Sequence, residues 1–133
     1  MPSLFTRIIA RELPGRFVYE DEQVVAFLTI APIKRGHTLV VPRTEVDDWL
    51  DLPERDRVAL FAAAHTVGIG VRQAFPCTRV ALLALGLEVP HVHLHLVPID
   101  SEAEVSFANA DPGVAPEALD DAQARIVAAL SRP

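Results

Sequence analysis

Cysteine is almost missing from this chain of 133 residues. Cys77 stands alone, which excludes an internal disulfide and predicts a reducing, cytoplasmic setting. Long apolar runs are missing as well. None approaches the ~20 residues of a membrane span, and the opening MPSLFTRIIARELPG carries acid and base where a secretory leader needs an apolar centre. No membrane partner is therefore expected. Basic charge is scarce: 12 Lys and Arg against 18 Asp and Glu leave a net charge of −6. That argues against a general nucleic-acid binder, which would need a broad basic surface, while a small anion can still be held by a few local donors. Repeats and low-complexity blocks are absent, so the chain is expected to form one domain over residues 1–133. Its core spans about 3–100, and a C-terminal loop and helix occupy 101–133. At this length roughly 68–70% of the unfolded surface can be buried.

The apolar residues that are present fall into readable elements. Ser3 is a plausible N-cap for a helix over LFTRIIARE, ended by Pro14-Gly15. RFVYE, QVVAFLTI and HTLVVP read as strands bounded by Asp21-Glu22, Pro32 and Pro42. From Pro53 to Phe75 the spacing of Val58, Leu60, Phe61, Ala64, Val67, Ile69 and Val71 suits a long helix with Pro at its start. Gly68 and Gly70 weaken its middle or admit a close neighbour. RVALLAL and HVHLHLVP follow as strands around a turn at Gly86–Pro90, and APEALDDAQARIVAAL closes as a helix. The sum is an α+β fold: about five mainly antiparallel strands, one long helix and one or two shorter ones. The order of the strands cannot be read from the runs.

One stretch does not fit a plain buried strand. PHVHLHLVP places His91, His93 and His95 two residues apart. On a strand such residues share a face, so the three imidazoles are predicted to line one face, roughly 6–7 Å apart, with Val92, Leu94 and Leu96 on the other. Three readings compete. The histidines can be polar fillers on a half-exposed strand, against which stands the cost of unsatisfied polar groups. They can bind metal, although no carboxylate or thiolate adjoins them. Or they can carry out chemistry on an anion. A neutral imidazole attacks phosphorus, a hydrogen bond fixes its second nitrogen, and the neighbouring histidines donate to phosphate or leaving group.

The alternation His-φ-His-φ-His-φ-φ, with φ apolar, resembles the signature of the histidine triad (HIT) family, whose members bind nucleotides and transfer or hydrolyse nucleotidyl groups. VYEDEQVVAFLTIAPIKRGHTLVVP resembles the family's N-terminal half, and GLEVPHVHLHLVPI a bacterial branch. The resemblance covers about Ser3 to Asp100 and implies a HIT-like fold. By position, His93 matches the nucleophile that takes the nucleotidyl group on its ring. His91 matches the residue that helps hold the nucleophile's tautomer, His95 the one near the phosphate or bridging oxygen, and His37 the fourth histidine. Phe27 and Ile30 fall where the family packs on the base, with plain core as the alternative for both. His65 has no motif around it and reads as a surface or satisfied core histidine. A homodimer through the long helix and an edge strand is also implied.

The chain departs from the family in two places. Zinc-bearing members begin C-x-x-C and carry a His in P-K-x-H, whereas the matching residues here are Ser3, Thr6 and Glu45. No structural zinc or other cofactor is therefore predicted, and the fold is expected to be held by packing alone. At the site, Thr29 stands where many members grip the ribose diol with an acid or Asn, and one hydroxyl cannot do that with two acceptors. The phosphate-donating turn A-G-Q-[ST]-V-x-H becomes Gly86-Leu87-Glu88-Val89-Pro90-His91. Leu87 cannot donate, and an ionised Glu88 repels phosphate unless it orients a histidine. Three functions follow: a nucleotidyl hydrolase or transferase acting through His93 on a phosphoramidate, dinucleoside polyphosphate or related conjugate; a nucleotide-binding module with little catalysis; and a histidine-based metal binder.

Overall fold

The runs VVAFL and TLVVP are continuously apolar because both faces of the sheet they enter are covered. The computed structural model describes residues 1–132. Its strands are β1 (Phe17–Glu20), β2 (Val24–Leu28), β3 (Thr38–Pro42), β4 (Arg79–Leu83) and β5 (Leu94–Ile99), and its helices are α1 (Leu4–Ile9), α2 (Glu54–Ala74) and α3 (Pro116–Leu130). The strands form one antiparallel sheet in the order β1-β2-β3-β5-β4. Every residue of β2, β3 and β5 is buried.

Alternate residues go to opposite layers. Val24, Ala26, Leu28, Val40, Leu94 and Leu96 pack against Leu60, Ala64, Val67 and Val71 of α2 and Ile126 of α3. Each of the Val, Leu and Ile side chains contributes about 1.5–3 kcal/mol relative to exposure. On the opposite face Val25, Phe27, Leu39 and Val41 pack on Phe5 of α1. Leu39 pairs with His95 across β3 and β5, so the third triad histidine belongs to this second face. Gly70 is the close approach expected of the α2 glycines, since a Cβ there would come within 2.6 Å of Leu130.

Two expectations need correction. α1 ends at Ile9 rather than at Pro14-Gly15, because Arg11 turns left-handed at φ 65; its guanidinium then stacks 3.7 Å from the Phe17 ring centroid and pairs with Glu20. β5 begins at Leu94, so His91 and His93 lie in the extended segment leading into the strand, where Val92 N–H donates to Val46 O at 2.7 Å instead of to a ladder. Among the described residues no helix is long and apolar enough to cross a membrane.

Candidate active site

The triad histidines are not on a wetted face. His91 is 0% exposed, His93 7% and His95 8%. Each ring must therefore find its partners inside the protein, and those partners assign the tautomers. A carbonyl only accepts, so His91 carries a proton on Nε2, which donates to Pro42 O at 2.8 Å. By the same rule His93 carries its proton on Nδ1, which donates to the His91 carbonyl at 2.7 Å. The lone pair of His93 is thereby left on Nε2.

His95 is fixed from the other side. The amide of Ile33 donates to His37 Nδ1 at 3.0 Å, which places the His37 proton on Nε2. That proton points at His95 Nδ1, 3.0 Å away, so His95 holds its own proton on Nε2. A lone pair on His93 thus stands beside an N–H on His95, with ring centroids 4.8 Å apart. Gly36 makes this possible: at φ +92 it turns the chain so that His37 enters β3 from the tight turn closed by His37 N–H to Lys34 O.

Burial favours the neutral form of all of these rings. It lowers the basicity of His93, while the His91 carbonyl and the charge of Glu88 pull the other way. Burial, then the neighbouring histidines, hold His37 at about 3. Burial and His93 hold His95 at about 4. A neutral imidazole with a free lone pair is the form that can attack an electrophile.

Two aromatic residues not singled out in the sequence complete the site. Phe5 meets His93 edge to face at 4.8 Å, and Phe107 meets His95 at 5.2 Å. Phe107 sits on a one-turn 3-10 helix, Phe107–Asn109, capped by Ser106. Its segment is tied to the β2–β3 loop by the Lys34–Glu104 ion pair and by Asp111 N–H donating to Pro32 O. A single Phe in a polar stretch carries no periodicity, so the sequence offers no signal for it. Beside His93 lies a pocket of about 390 Å³ walled by Trp49, Leu50, Leu85 and Leu87, with Asp47 and Asp48 at its side.

The other anticipated residues divide. Ile30 is 74% exposed and free to cover a ligand, but Phe27, 2% exposed beneath Phe5 and Phe17, is core. Thr29 Oγ1 accepts from Ala31 N–H at 3.2 Å, a local turn that occupies part of its acceptor capacity. Glu88 is exposed. The ring partners of the histidines come from Ser3, Pro42, His37 and the His91 carbonyl, so Glu88 acts on His93 as a charge at a distance. His65 is exposed on α2.

Ser3, Thr6 and Glu45 meet around His91 instead of leaving the fold to packing alone. Ser3 Oγ lies 2.7 Å from His91 Nδ1, Thr6 Oγ1 donates to Glu45 Oε1 at 2.6 Å, and Ser3 N–H reaches the same oxygen at 2.6 Å. Two neutral hydroxyls already engaged in hydrogen bonds, one carboxylate and one imidazole do not fit zinc, whose structural sites use thiolate and imidazole. Among the described residues no group of three His, Cys, Asp or Glu could hold a metal ion.

The family model described as HIT domain matches residues 10–102. "Protein hit" of Bacillus subtilis (strain 168) is 33% identical over 100 residues, covering 71% of this chain and 69% of that protein. A hypothetical histidine triad nucleotide-binding protein from Sulfolobus tokodaii superposes with a TM-score of 0.83 at 29% identity, covering 95% of this chain and 90% of that one. A Zn-bound histidine triad family protein from Mycobacterium smegmatis superposes at 0.81 and 27%, covering 96% and 92%. The four buried histidines gathered on and beside strands β3 and β5 of the antiparallel sheet, together with the matched residues, agree: this chain belongs to the histidine triad family.

Proposed function

We propose that the protein binds a nucleotide conjugate and transfers or hydrolyses its nucleotidyl group through a covalent intermediate on His93. The observation that carries this is the tautomer pair: a lone pair fixed on His93 Nε2 beside an N–H fixed on His95 Nε2. His93 Nε2 attacks the α-phosphorus, the N–P bond forms, and the bond to the leaving group breaks. The leaving group departs with the electron pair and takes a proton from water, while His95 donates a hydrogen bond to the phosphoryl group. In the second step water attacks phosphorus, the N–P bond breaks, and its electron pair returns to His93. The water's proton passes to solvent.

Charge narrows the substrate. The pocket beside His93 is lined by Asp47 and Asp48 and by no Lys or Arg, and Glu88 adds its charge to the same region. Such a setting disfavours a polyphosphate leaving group and favours a neutral or cationic one, as in a nucleoside phosphoramidate. The second reading, a binding module with little turnover, draws on Leu87. It is 91% exposed in the turn where a phosphate donor would stand.

Mixing the protein with an adenylyl phosphoramidate and recording intact mass separates the two. The enzyme gives an adenylyl adduct that disappears in His93→Ala. Binding with neither adduct nor turnover would leave the module.

The same reading includes a homodimer. Val58, Phe61 and Ile69 are exposed along α2, and β4 is an edge strand with Leu82 outward. An apolar helix face beside an open edge suits a second copy of the chain. Light scattering on wild type and Phe61→Glu tests it, a dimer giving way to monomer.

A further inference from the structure

The hydrogen bonds around Ser3 join Thr6, Glu45 and His91 into one cluster. Pro42 O takes the Nε2 proton of His91, so His91 Nδ1 accepts from the Ser3 hydroxyl. Ser3 Oγ in turn accepts from Thr6 N–H at 3.0 Å. The Thr6 hydroxyl is given to Glu45, whose Oε1 also takes Ser3 N–H. The connection therefore runs from an exposed carboxylate, through Thr6 of α1 and its N-cap Ser3, to a fully buried imidazole. No buried side-chain polar atom among the described residues lacks a partner.

His91 is thus pinned at both ring nitrogens, and its carbonyl is the acceptor that fixes the tautomer of His93. The next amide, Val92 N–H, is tied to Val46 O, one residue from Glu45. Phe5, two residues from Ser3, packs on both His91 and His93. Apart from Pro42 O of β3, these contacts lead back to α1, its N-cap Ser3 and the Glu45 loop.

We propose that Ser3 is a positioning residue for the nucleophile, and that Ser3, Thr6 and Glu45 form a metal-free hydrogen-bonded latch joining α1 to the His91–His93 segment. The latch does with hydroxyls and a carboxylate what a bound metal would do with thiolates: it holds an N-terminal helix against the triad. It rests on the reading of His93 as nucleophile for its kinetic consequence but not for its structural one.

The test uses wild type, Ser3→Ala, Ser3→Thr and Glu45→Ala. Nitrogen-15 spectra of the histidine rings at neutral pH report the tautomers, and single-turnover mass spectrometry with an adenylyl phosphoramidate reports adduct formation. In Ser3→Ala a second His93 tautomer is expected. Adduct formation falls roughly tenfold, the scale of one unpaired buried acceptor, while affinity for adenosine monophosphate stays within about twofold. Ser3→Thr restores both readouts. Glu45→Ala, altered only at the surface, moves them in the same direction by roughly threefold. It decides the matter should Ser3→Ala not fold. Unchanged ring spectra in a folded Ser3→Ala, or in Glu45→Ala if that is the variant left, overturn the latch. A wild type that forms no adduct overturns the nucleophile reading instead, and the ring spectra still judge the latch.

Discussion

His37 Nε2 and His95 Nδ1 meet across 3.0 Å, and a third group, the amide of Ile33, decides which ring owns the proton between them. An amide can only donate, so His37 must donate onward. Two basic groups are thereby held side by side in the dry interior, at about 3 and about 4.

Acid should unfold the protein through these rings. In the unfolded chain both titrate near 6.5. Below that pH the unfolded state binds protons that the folded state refuses, so stability is full above 6.5 and is lost as pH falls towards 4 and 3. Between pH 7 and pH 5 the loss is about 2 kcal/mol for each of the two histidines. Glu45 and Glu104, held at about 2 by their hydrogen bonds, lose their contribution only below about 4.5, so the upper window belongs to the histidines. Urea unfolding at pH 7 and pH 5 measures the drop, and His37→Gln should reduce it by the share of one histidine, since the depressed rings of His91, His93 and His95 remain. An identical slope in wild type and variant would sink the assignment.

Removing Phe107 should wet His95 without unfolding the sheet. The ring is 43% exposed and its edge contact is with His95, a pairing worth about 0.5–1.5 kcal/mol. Phe107→Ala is expected to lower kcat/KM roughly 2- to 10-fold. Water reaching His95 relieves the desolvation that depresses it, so the acid limb of the pH–rate profile should move to higher pH.

Two glycines should respond with opposite signs. A Cβ on Gly68 meets nothing within 4 Å, so Gly68→Ala should stabilise α2 by about 0.5–1 kcal/mol and raise Tm by a few degrees. At Gly36 the φ of +92 strains any side chain, and its Cβ would sit 2.7 Å from the Phe75 ring. Gly36→Ala should destabilise by more than about 1 kcal/mol and weaken adduct formation by shifting His37. Thermal unfolding of both variants checks the pair.

The turn before the triad should be improvable. Leu87→Gln supplies an amide donor beside the pocket, and Glu88→Gln removes a charge that opposes phosphate. Affinity for adenosine monophosphate, measured by calorimetry, should rise severalfold in either variant and most in the double one. Loss of affinity in Glu88→Gln would mean that this carboxylate holds something the site needs.

The fold was legible wherever burial was two-sided. VVAFL and TLVVP announce themselves because each residue there faces a covered layer, and α2 because its buried Leu60, Ala64, Val67 and Val71 recur at helical spacing, although Val58, Phe61 and Ile69 of the same run stand exposed. The order β1-β2-β3-β5-β4 was not legible, since pairing depends on long-range register rather than on local pattern. At the site, the alternation of His91, His93 and His95 was visible, but the strand begins only at Leu94. What was hidden arrives from distant positions by hydrogen bond or ring contact: Ser3 and Phe5 from α1, Phe107 from the far end. For Phe27 the sequence left base contact and plain core open, because its periodicity is that of a strand either way; the packing of Phe5 and Phe17 on its ring places it in the core.

The stretch matched by the family, residues 10–102, contains all four site histidines. Ser3, Phe5 and Phe107 lie outside it, before and after. The four imidazoles are thus sheathed by material drawn from either flank. Trimming an expression clone to the recognised boundaries would keep the reagent and discard its mould.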